Sequence, residues 1–119
     1  MVFGDLLQSG DWKSEKHVPA IEIKVEGKEV TANICVGKEI PHPNTLEHHI
    51  EWIEAYFHPD GEKFPVMVGR MEFRAHGEYG TATKFEMTVK FTAEKSGTLY
   101  AKSYCNIHGL WINSRRVEI

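Results

Sequence analysis

The segment SYCNIHG (103–109) places Cys105 and His108 with two residues between them. A thiolate and an imidazole at that spacing can share a transition metal, act as nucleophile and base, or simply fill a core. Alone, the pair is half a metal site. Further donors lie upstream: His17 in EKHVP, His42 between two prolines in PHPN, and the His48–His49 pair in EHHI. His58 and His76 bring the histidines to seven, most of them beside Pro, Gly or another His. The prolines flanking His42 restrict backbone φ and remove amide donors, so that loop can hold its shape without strand pairing.

Each piece has a plain structural alternative. Cys105 can be a small apolar residue next to a surface His, His42 part of a stiff turn, and His48–His49 the two faces of one strand. Zinc commonly takes ligand pairs at both ends of its site, and the second cysteine, Cys35, has no ligand partner beside it. A His-rich set with one thiolate suits iron or copper at least as well. A blue-copper carrier also joins a β-sandwich to a late Cys and His, but it wants a weak axial Met. After His108 come Gly109, Leu110, Trp111, Ile112 and Asn113. A Cys–His nucleophile needs an orienting third group and an oxyanion hole, and it leaves His17, His42 and His48 without a task. A non-catalytic immunoglobulin-like binding module also stays open.

The elements that must carry these residues read as strands. In AIEIKVE, Ile21, Ile23 and Val25 alternate with charged residues; after a turn at Gly27, Val30, Ala32, Ile34 and Val36 alternate with Thr31, Asn33 and Cys35. Two such runs joined around a Gly predict a hairpin. IEWIEAYF (50–57) fits both helical and strand spacing, and its aromatic and β-branched content favours strand. HPDGE (58–62) predicts a turn. PVMVGRMEFRA (65–75) and KFEMTVKFTAE (84–94) follow, the second with Phe85, Met87, Val89, Phe91 and Ala93 on one face. After a turn at KSG come TLYAKSY (98–104), a loop NIHGLW, and a last strand in SRRVEI (114–119). About seven short strands at this spacing predict an all-β sandwich or small barrel, with the donors on its loops, where sites usually sit.

Composition sets the outer limits. A length of 119 residues predicts one domain over 1–119, large enough to bury roughly two-thirds of its unfolded surface without a disulfide. The formal net charge of −3 argues against nucleic acid or an anionic membrane as partner. The beginning MVFGDLLQSGDWKSEKH lacks a basic leader followed by an apolar segment, and no run reaches the length of a membrane span. A cytoplasmic protein with reduced cysteines is therefore expected.

Taken together, GDWKSEKHVP (10–19), GKEIPHPNTLEHHI (37–50) and YCNIHGLW (104–111) resemble the superoxide reductases of the neelaredoxin type. These belong to the desulfoferrodoxin family and carry a single iron centre. The likeness runs from about Ser9 to the end of the chain, with three separated motifs in order. A CxxC-bearing N-terminal extension for a second, rubredoxin-like iron site is not expected. The resemblance implies an immunoglobulin-like β-sandwich of about seven antiparallel strands. It implies one iron ion per chain, cycling between ferrous and ferric. His17, His42, His48 and His108 would bind it in one plane and Cys105 axially. Glu15 would bind in the oxidised state only and leave on reduction, and Lys16 would sit near the open position. His49, His58 and His76 match no ligand position. The implied reaction takes superoxide, one electron and two protons to hydrogen peroxide, with rubredoxin or a similar small protein as donor and a homotetramer as assembly. In this reading Lys16 steers the anion and holds a proton-donating water, while the amides of Asn106 and Ile107 hydrogen-bond the Cys105 sulfur.

Overall fold

The computed structural model describes residues 2–10 and 17–119. The alternating runs form the strands their patterns predict. β1 (Ala20–Glu26), β2 (Glu29–Cys35) and β7 (Glu86–Thr92) make a three-stranded antiparallel sheet in the order β1-β2-β7. β3 (Ile50–Pro59), β4 (Val66–Glu72), β8 (Gly97–Cys105) and β9 (Gly109–Val117) make a four-stranded antiparallel sheet in the order β4-β3-β8-β9. Seven strands in two facing sheets fulfil the sandwich expectation.

The core is the pair of inward faces. Val30, Ala32 and Ile34 on one sheet and Ile53, Ala55, Leu99 and Ala101 on the other are wholly buried, as period-two side chains must be when one face of each sheet is covered. Cys35 points to the other side of β2 and is half-buried, as its register predicts.

Three features depart from the sequence reading. A short hairpin of β5 (His76–Glu78) and β6 (Thr81–Ala82) stands apart from both sheets, too brief to show a period. A 3-10 turn covers Phe3–Leu6. The last strand begins at Gly109 rather than Ser114, because Cys105 pairs with Gly109 across a three-residue turn. NIHGLW is therefore a tight hairpin connection and the start of a strand, and Gly109 supplies the left-handed conformation the turn needs (φ 82°).

Candidate metal centre

Five donors converge at one end of the sandwich. His17 lies just ahead of β1, His42 and His48 lie on the connection between β2 and β3, Cys105 ends β8, and His108 closes the turn into β9. One ligand atom from each of His17, His42, His48 and Cys105 lies within 4.8 Å of all the others. His108 joins them, with its Nδ1 3.1 Å from His17 Nε2 and 3.9 Å from Cys105 Sγ.

The four imidazoles form a closed ring. His17 meets His42 with centroids 4.7 Å apart, His42 meets His48 at 4.7 Å, His48 meets His108 at 5.0 Å, and His108 returns to His17 at 5.1 Å. Every contact is edge-to-face, with interplanar angles between 77° and 83°. Edge-to-face packing is favourable for aromatic rings in general, but four in a cycle aim their nitrogens at a common centre. Cys105 Sγ also approaches His42 Nε2 at 3.7 Å. His42 Nδ1 donates to the Pro43 carbonyl at 2.7 Å, which leaves Nε2 as the lone-pair atom facing the sulfur.

The scaffold explains the convergence. His17 is fully buried and stacked on Trp111 at 4.4 Å and 15°. The buried Ser103 hydroxyl donates to the His17 carbonyl at 3.0 Å, and Asn113 Nδ2 donates to the Pro19 carbonyl at 2.8 Å, tying this segment to β8 and β9. His42 packs its ring against the edge of Phe85. Gly37, at φ 80°, lies so close to the loop that a Cβ there would fall 2.6 Å from the His42 amide. The two prolines and this close approach together fix the loop.

The sulfur is held as well. Cys105 is fully buried, and the His108 amide donates to its Sγ at 3.4 Å. The expectation for Asn106 is corrected: its amide donates instead to the His49 carbonyl at 3.2 Å, because the β3–β8 ladder continues one residue past Cys105. Neither cysteine is joined in a disulfide.

All five predicted metal ligands among the described residues meet here. Glu15 and Lys16 lie outside the described residues. His49, His58 and His76 stay out of the ring: His49 and His76 stack on each other, and His58 Nε2 bonds the Glu62 carbonyl. Trp111, Phe85 and Ser103 are supports that the sequence reading missed. Trp111 could have been found by carrying the period of the last strand back through Leu110 and Ile112.

Five lone-pair donors brought together favour a bound cation, and imidazole with thiolate is a transition-metal set. Four rings exceed the two-histidine, one-cysteine set of blue copper. The site is a metal centre.

A desulfoferrodoxin profile matches residues 9–114. The chain is 55% identical over 114 residues to a superoxide reductase of Pyrococcus horikoshii, covering 96% of this chain and 97% of that protein. It is 45% identical to a neelaredoxin of Megalodesulfovibrio gigas, covering 97% and 96%. It superposes on a crystal structure of superoxide reductase in the oxidised state with a TM-score of 0.94, at 52% identity, over 98% of this chain and 100% of that one.

Proposed function

This chain belongs to the desulfoferrodoxin family, and from that premise we propose that it is a superoxide reductase. It reduces superoxide to hydrogen peroxide without releasing dioxygen. The observation that carries this reading is the closed ring of four histidines with the Cys105 sulfur against it.

The metal is iron, one ion per chain, held by His17, His42, His48, His108 and the Cys105 thiolate. Bound iron supplies the one-electron change between ferrous and ferric states. The rest is the work of the chain. Neutral imidazoles add no charge, so one thiolate leaves the centre cationic and attractive to an anion. Burial of Cys105 keeps water from the sulfur, and the His108 amide on Sγ moderates how strongly it donates. Lys16 draws superoxide in and holds the water that protonates the departing product. Glu15 would be a further ligand to the iron in the oxidised state only.

The electron comes from a small redox protein such as rubredoxin. The chain functions as a single domain over 1–119 in a homotetramer. The outward face of the four-stranded sheet supports assembly, since Trp52, Tyr56, Tyr100 and Tyr104 lie half-buried there, and interfaces are rich in such residues. Two cysteines outside any disulfide support a cytoplasmic site of action. No helix among the described residues is long and apolar enough to cross a membrane.

The test is to mix the reduced, iron-loaded protein with superoxide and follow iron oxidation, peroxide and dioxygen together. One peroxide per iron oxidised, with no dioxygen, is the expected outcome. Dioxygen at half the superoxide consumed would establish a dismutase instead.

A further inference from the structure

His48 sits on the short turn 45–48, which lacks regular pairing until Ile50 opens β3. Its ring must nonetheless hold a fixed direction to complete the four-histidine cycle. A side chain's direction is set by its backbone φ and ψ, and those are set by the two peptide groups that flank it.

All four polar groups of those two peptides have partners. The Glu47 carbonyl accepts from Asn106 Nδ2 at 2.9 Å, and the His48 amide donates to Thr45 Oγ1 at 3.1 Å. The His48 carbonyl accepts from the Thr45 amide at 2.9 Å, and the His49 amide donates to Asn106 Oδ1 at 2.8 Å. Two of the four bonds therefore come from one carboxamide, one on each side of His48. That carboxamide belongs to the residue directly after Cys105, in the turn that leads to His108. The Asn106 amide adds a third bond to the same loop through the His49 carbonyl.

We infer that Asn106 is a positioning residue for the metal centre: its side chain brackets His48 and locks that ligand's direction to the turn carrying Cys105 and His108. The chemistry selects asparagine. The site needs an acceptor for one amide and a donor for one carbonyl, about one peptide width apart, and a carboxamide offers both. Aspartate keeps the acceptor and turns the donor into a second acceptor facing the Glu47 carbonyl. Asn106 acts on the centre through the peptide groups that flank His48. The inference rests on the reading of five metal donors given above.

Cobalt(II) provides a readout independent of turnover, because its ligand-field and thiolate charge-transfer bands report the donors directly. The metal-free protein is titrated with cobalt(II) chloride as wild type, N106A, N106D, H48A and N106A/H48A. N106A is expected to bind cobalt about tenfold more weakly with shifted bands. In the H48A background, adding N106A is expected to cost nothing further, since residues that act as one unit are non-additive. N106D keeps the side-chain volume if alanine fails to fold, and its bands are expected to shift as well. Wild-type affinity and bands in both Asn106 variants, or an equal additional loss in the H48A background, would overturn the inference. Wild type that binds no cobalt through a thiolate would instead overturn the five-donor site, and the clamp with it.

Discussion

His48 and His49 are neighbours in the chain, yet they enter two histidine clusters of opposite kind. His48 belongs to the cycle of four rings packed edge-to-face, whose nitrogens point inward at one another and at Cys105. His49 lies flat on His76, with centroids 3.6 Å apart and planes 9° from parallel. There the Nδ1 atoms are taken up by the 44–45 loop instead: His49 Nδ1 bonds the Thr45 carbonyl at 2.8 Å, and His76 Nδ1 bonds Asn44 Oδ1 at 2.8 Å. Ring orientation, not the number of histidines, separates a metal centre from a structural stack. The stack also serves the centre. Asn44 Nδ2 donates to the Thr83 carbonyl, so His76 and the β5–β6 hairpin brace the loop that carries His42.

The largest effects should fall on the converging cluster. Cys105→Ser should abolish the visible thiolate-to-iron charge-transfer band, read by absorption of the oxidised protein. A persisting band would place the sulfur donor elsewhere. The neighbouring pair then divides the two clusters. His48→Ala should weaken metal binding on the order of a hundredfold or more, a loss at least as large as disturbing a ligand's support. His49→Ala should keep the metal and its spectrum while costing about 2 kcal/mol of stability through lost burial and one lost bond. Metal titration beside thermal unfolding checks both. Equal metal loss in the two variants would erase the distinction between cycle and stack.

Much of this division is legible in the amino-acid sequence. The alternation in Val30–Val36 and Phe85–Ala93 predicts the two buried faces, because period two maps directly onto sides of a sheet. Among the five donors His42 and His108 stand beside Pro or Gly, and the family motifs name the full set. The supports are different in kind. Trp111 against His17, Ser103 on the His17 carbonyl and the three bonds of Asn106 join residues far apart in the chain. No local period encodes a contact across 86 or 94 positions, as in Ser103–His17 and Asn113–Pro19. The β5–β6 hairpin escapes a reading by period because its strands of three and two residues are shorter than one alternation can reveal.

Lys16→Ala tests the proposed steering of the substrate. A charge acting through space should alter capture of an anion and leave both ring systems intact. Lys16→Ala should slow reaction with superoxide by roughly tenfold or less and flatten its dependence on ionic strength. Rapid mixing or pulse radiolysis across a salt series measures both, with the charge-transfer band as the control for an undisturbed centre. An unchanged salt dependence would remove steering from the account.

The smallest effect concerns the stack alone. Burial first, and the neighbouring His49 second, hold the His76 pKa below its ordinary value near 6.5; Glu78 and Glu51 and a bond with the Phe73 backbone oppose the shift. A base with a depressed pKa is kept neutral by folding, so the unfolded chain takes up its proton at the higher pH. Neutral His76 therefore contributes its full stability above about pH 6.5. That contribution shrinks as pH falls from there toward the lower folded-state value. His76→Gln keeps a polar partner for Asn44 but does not titrate. The gap in unfolding midpoint between wild type and His76→Gln should narrow between pH 7 and 5.5, while the metal ligands, common to both proteins, cancel in the difference. A constant gap would mean that protonating His76 leaves the stack unharmed. The parallel rings would then be held by packing alone, as the converging rings cannot be.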